Sequence, residues 1–99
     1  MCEFKVVKQN DGTQIMEDIV IIGYSDNNGL IFKDILGAGE LLESALILDV
    51  NTINQTLLVL EHPLIRDFIG LLKDLTDKKA EKEQIDAIIG KLNELKNTL

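Results

Sequence analysis

Two residues in this chain have side chains suited to nucleophilic or metal chemistry: its single cysteine, Cys2, and its single histidine, His62. A catalytic thiol needs a base beside it. No spacing brings these two together, and no flanking pattern suggests a protease or a transferase. His62 directly precedes Pro63 and is most simply a boundary residue. The acidic pairs Glu17–Asp18 and Glu40/Glu43 have the residue type for acid–base or divalent-cation work, but solvated surface explains both more simply. The chain is therefore expected not to be an enzyme.

Cys2 supports two readings. In an extended strand it shares a face with Phe4 and Val6, and a free cysteine often behaves as a small buried hydrophobe. The alternative is chemical. Initiator methionine is generally removed before a small residue such as cysteine, which leaves an α-amine and a thiol on one residue. Their unperturbed pKa values, about 7.7–8.0 and about 8.5, let a metal ion displace both protons. Amine nitrogen and thiolate sulfur then close a five-membered chelate, and the deprotonated backbone amide of Glu3 offers a third donor. A planar set of mixed nitrogen and sulfur donors suits Ni(II) or Cu(II), whereas Zn(II) prefers a tetrahedron. One chain offers too few side-chain ligands for a closed site; two chains meeting at their N-termini offer enough.

The elements that must position these residues fall into two parts. In residues 1–62, turn signals at Asp11-Gly12 and at 26–29 separate β-rich runs: "CEFKVV", "QIMEDIVIIGYS", "LIFKDIL", "SALILDV" and "QTLLVLE". Five such runs with short connections predict a small antiparallel β-barrel of SH3-like size. Gly37 and Gly39 resemble the start of a dinucleotide fingerprint, but Leu42 stands at the third glycine position and no helix has room to follow; "GAGE" is expected to be a loop. Ile19–Ile22 and Leu57–Leu60 are apolar on both faces, so something must cover the outside of the sheet. Beyond Pro63 the period becomes helical. Leu64, Ile65, Phe68, Ile69, Leu72 and Leu75 form one stripe. After "TDKK", Ile85, Ile88, Ile89, Leu92, Leu95 and Leu99 form another. Residues 63–99 are thus expected to be a helical hairpin that packs on the barrel or at a dimer interface.

Charge narrows the partners. The net charge is −7 over 99 residues. In residues 1–62, ten acids (Glu3, Asp11, Glu17, Asp18, Asp26, Asp34, Glu40, Glu43, Asp49 and Glu61) face Lys5, Lys8 and Lys33. Residues 63–99 balance seven acids with seven bases. An acidic half would repel a phosphate backbone, and aromatic residues for base stacking are few, so nucleic-acid binding is disfavoured. A lone cysteine excludes an internal disulfide and fits a reducing compartment. No charged-then-apolar leader opens the sequence, and no apolar run approaches the roughly 20 residues that span a bilayer. A cytoplasmic protein without a membrane anchor is expected.

"MC" followed closely by "KVV", then a turn, the strand "MEDIVIIG" and the ending "ILDVNTINQTLLVLE" resemble the CooT-type small nickel-binding proteins, over roughly residues 1–61. The resemblance implies a small β-barrel homodimer that binds Ni(II) through Cys2, with its own amine and the Glu3 amide beside it. It also implies a metallochaperone role in maturing a nickel enzyme such as carbon monoxide dehydrogenase. Some members are labelled predicted RNA-binding proteins, a label the charge distribution does not favour. The short members end near Glu61, so the helices are an addition. The reading from a different class is a protein–protein interaction module in which the hairpin binds a partner and Cys2 is incidental.

Overall fold

The computed structural model describes residues 3–99. Six strands precede two helices: β1 (Phe4–Lys8), β2 (Gln14–Tyr24), β3 (Leu30–Asp34), β4 (Gly39–Leu42), β5 (Ala45–Asn51), β6 (Thr56–Glu61), α1 (Pro63–Thr76) and α2 (Lys82–Thr98). The turns form where the sequence places them. Gly12 has a φ of 75° between β1 and β2, with the Thr13 amide donating to Asp11, and Asn28 has a φ of 67° between β2 and β3. Both residue types tolerate this left-handed conformation.

The strands make one six-stranded sheet in the order β4-β3-β2-β1-β6-β5. All pairs are antiparallel except β1 with β6, which runs parallel from Lys5↔Thr56 to Lys8↔Val59. The expected closed antiparallel barrel is therefore not what forms. The sheet curls without closing, and among the described residues the edge strands β4 and β5 share no ladder. Flat, six strands would place these edges about 24 Å apart. Yet Leu42 ends β4 and Ala45 begins β5, and three residues reach about 10 Å at most. The edges must meet at that corner. There the bend at Glu43–Ser44 sends β5 along β6 instead of along β4. A side chain bridges the corner: the Tyr24 hydroxyl donates to the Ala45 carbonyl oxygen at 2.8 Å.

Curling lets distant strands share one interior. Val6, Ile19, Leu30, Phe32, Ala45, Leu57 and Val59 are all fully buried and form a single cluster. β2 bends to make this possible. Its register shifts against β1 between Met16 and Ile19, where Asp18 takes a φ of 58°, and against β3 between Ile19 and Ile21; such bulges bend a strand.

The segment expected as the loop "GAGE" contains a strand. The chain turns at residues 35–38, where the Asp34 carboxylate accepts from the amides of Leu36 and Ala38, and β4 starts at Gly39. A Cβ at Gly39 would overlap the Phe32 carbonyl oxygen. Glycine here marks the close approach of two backbones, not a dinucleotide turn.

The helices begin as the sequence predicts. His62 caps α1, its Nδ1 accepting from the Leu64 amide at 3.2 Å, with Pro63 in the first turn. Glu81 and Gln84 form a capping box at the start of α2. The antiparallel pair is fastened by Gln84 to Asp74 and Lys91 to Asp67, with Ile88 buried between them. Among the described residues, no helix is long and apolar enough to cross a membrane.

Candidate metal centre

Cys2, the residue on which the metal reading turns, lies outside the described residues. Glu3 is the first described residue; it is exposed and immediately precedes β1. Beyond it, strand alternation takes over: Phe4 packs on the core, Lys5 faces out and Val6 is fully buried. The β1 backbone is held from both sides. Phe4 pairs with Ile19 of β2, and the Lys5 amide donates to the Gln55 carbonyl at 2.9 Å. Glu3 is thus tethered to the middle of the sheet through a strand with two hydrogen-bonded neighbours.

Among the described residues, no group of three or more His, Cys, Asp or Glu side chains is arranged to hold a metal ion. The other candidate residues are spread apart. Glu17 and Asp18 are exposed at the β2 bulge, and Glu40 and Glu43 are exposed on and just after β4. The single imidazole comes nearest to carboxylates in an open recess lined by Asn10, Glu43, Ser44, Glu61, His62 and Pro63. There His62 is engaged as a helix cap, and Lys8 lies 3.5 Å from the Glu61 carboxylate. His62 is a boundary residue, as its position before proline indicates.

Two shifted titrations stand apart from these residues and belong to the scaffold. Hydrogen bonds from Thr13 hold the Asp11 carboxyl below its ordinary value. Burial pushes the Tyr24 phenol above its ordinary value.

Sequence reasoning missed the residues that join the helices to the sheet. The Ser44 hydroxyl donates to the His62 carbonyl oxygen and accepts from the Arg66 amide at 2.9 Å. The Arg66 Nε donates to the Asn27 carbonyl oxygen, and the Lys73 Nζ to the Asn28 side chain. The signal for Ser44 was weak: a small hydroxyl residue at a bend, whose partners lie some twenty positions ahead.

The sheet, with β1 at its centre and β6 beside it, is the part of the chain that matches a known family, described as CO dehydrogenase accessory protein CooT, over residues 1–60. The chain belongs to the CooT family. The match includes Cys2 and Glu3 and stops one residue short of the end of β6. The two helices therefore lie outside the CooT region. No curated protein matches the chain.

Proposed function

We propose that this protein is a nickel-binding accessory protein that holds Ni(II) as cargo for a carbon monoxide dehydrogenase under assembly in the cytoplasm. It is a carrier, not an enzyme. The observation that carries the reading is the CooT match over residues 1–60, which takes in the N-terminal cysteine. The family description gives the chain an accessory role toward that enzyme, and hence a client.

The cargo is held through the Cys2 thiolate, the α-amine freed by removal of Met1, and the deprotonated Glu3 amide. A soft thiolate combined with nitrogen donors suits Ni(II). The exposure of Glu3 at the start of a well-anchored strand supports the reading, since such a donor set must be reachable by a client. Two chains share one ion in a homodimer, because one N-terminus leaves the coordination incomplete.

Nickel titration of native protein, followed by absorbance, tests the proposal. The expected result is about one ion per two chains, with a sulfur-to-metal charge-transfer band. Cys2→Ser, which keeps a small second residue and thus the processed amine, should abolish the band and weaken binding at least 100-fold. Nickel binding by Cys2→Ser equal to that of the parent would make the thiol incidental and sink the proposal.

A further inference from the structure

The helical hairpin buries surprisingly little of its apolar surface. Ile88 is 6% exposed, yet Leu72 is 59% and Ile89 48% exposed, and Phe68, Leu75, Ile85 and Leu92 are exposed too. Where these residues point follows from helix geometry. On α1 the seam with α2 is marked by Asp67, Leu71 and Asp74; on α2 it is marked by Gln84, Ile88 and Lys91. At about 100° per residue, Phe68, Leu72 and Leu75 sit roughly a quarter turn round from the α1 seam. Ile85, Ile89 and Leu92 sit the same quarter turn round, in the same sense, from the α2 seam. In an antiparallel pair, equal rotations from the seam bring both stripes to one side. The two helices therefore present a single apolar face. It runs on into a groove where Phe68 and Leu72 lie with Leu46 of β5 and Leu60 of β6. The opposite side of α1 is tied to the turn between β2 and β3, through Arg66 to Asn27 and Lys73 to Asn28.

We propose that a second copy of this chain covers this face, with two hairpins packing across a two-fold axis into a four-helix layer. Three observations favour a copy as the occupant. The first is area. The chain exposes 6884 Å², roughly 1,200 Å² more than the about 5,700 Å² expected of a folded monomer of its mass. A standard interface takes about 800 Å² from each partner, so the surplus is of the size that a stable dimer removes. The radius of gyration, 15.6 Å, likewise exceeds the about 13 Å of a compact chain of this length.

The second observation is charge. The whole −7 lies in residues 1–62, while residues 63–99 carry seven acids and seven bases. Two copies that meet through the hairpins do so on surfaces with no net charge. The third is symmetry. A two-fold interface sets a patch against itself, and a face made of aliphatic side chains and Phe68 is compatible with its own image. The hairpin lies outside the CooT match, so this contact is separate from one made by the N-termini, and the inference does not depend on the nickel reading.

Sedimentation equilibrium of the full chain in a metal chelator tests this. Without metal, N-terminal chelation cannot join the chains. The unmodified protein should sediment at twice 11.1 kDa at micromolar concentrations, and Cys2→Ser should do the same. Leu72→Glu/Ile89→Glu, with an unchanged far-UV circular dichroism spectrum, should weaken the dimer at least 100-fold. Should that variant fail to fold, the milder Leu72→Ala/Ile89→Ala should weaken it about tenfold. An 11.1 kDa species alone at hundreds of micromolar of the unmodified chain, or a dimer undiminished in a folded variant, would overturn the proposal. Failure of nickel to bind a hairpin-linked dimer would count against the metal reading alone.

Discussion

The carboxamide of Asn10 pairs with the backbone of Glu61 at both ends: its Nδ2 donates to the Glu61 carbonyl oxygen and its Oδ1 accepts from the Glu61 amide, each at 2.9 Å. One side chain thus does for the last residue of β6 what a neighbouring strand would do. β1 and β6 are parallel, so this clasp lies at the exit end of β1, the opposite end from Glu3. It fixes the point from which the chain leaves for α1. The helices and the proposed metal-binding N-terminus are therefore attached at opposite ends of one central strand pair, which lets a hairpin contact and an N-terminal contact operate without competing.

Asn10→Ala should lower stability by about 1–2 kcal/mol, since two hydrogen bonds are lost and the Glu61 backbone groups must find water. The end of β6 is only partly exposed, so the loss should be felt locally first. Denaturant unfolding reads the stability, and hydrogen exchange should speed up at Glu61 before it does at Leu57.

Tyr24→Phe removes the hydroxyl that bridges the open corner of the sheet to Ala45. The cost should be about 1 kcal/mol. The ring remains, so its packing should survive. Burial raises the folded-state phenol pKa above its ordinary 10.0, so the neutral form is favoured on folding. Stability from this group is complete below pH about 10 and is lost as pH rises through the folded value. Urea unfolding at pH 8 and above pH 10 should show a steeper alkaline decline in the parent than in Tyr24→Phe; parallel curves would refute the assignment.

Gly39→Ala should detach β4. The added methyl would overlap the Phe32 carbonyl oxygen, which is backbone and cannot swing aside. A loss of about 2 kcal/mol or more is expected, in the range of overpacking and strain. Thermal unfolding measures it, and amide exchange should place the loosening along Leu30–Asp34, the partner of β4.

Local signals in the sequence captured most of the elements. The turn residues Gly12 and Asn28, the proline at the head of α1 and the helical spacing of Leu64 to Leu75 act within a few positions, and each stands where it was expected. β4 escaped because Gly37 and Gly39 look like punctuation, while the reason for Gly39 is contact with a strand seven residues earlier. That the sheet stops short of closing into the expected barrel escaped for a related reason. The β-rich runs show that strands exist, but the meeting of the two edges depends on the bend at Glu43–Ser44 and the reach of Tyr24. The two-faced apolar runs did foretell a covering need. Leu60 is sheltered beside α1, whereas Ile21 remains exposed. Of the candidate site, Glu3 is placed at the mouth of β1, while Cys2 lies outside the described residues.

The last prediction separates the backbone of Glu3 from its side chain. In the proposed chelate the Glu3 amide nitrogen is a donor and the carboxylate is not. Glu3→Ala should therefore bind Ni(II) within about threefold of the parent. Glu3→Pro leaves the Cys2 thiol and amine in place but has no amide proton to release, so the donor set loses one nitrogen. Binding should weaken by at least about tenfold, since losing even an outer-shell partner of a metal ligand typically costs about 10–100-fold, and the absorption bands should shift as the geometry relaxes. Glu3 is exposed and precedes the first strand residue, a position where proline is tolerated, and circular dichroism checks that the sheet persists. Both samples must be shown by mass to lack Met1, since an uncleaved methionine converts the chelating amine to an amide and weakens binding by itself. Equal affinity in Glu3→Pro and the parent would remove the amide from the site and leave the thiol and amine as its only donors from each chain. Loss in Glu3→Ala would instead move the third donor to the carboxylate.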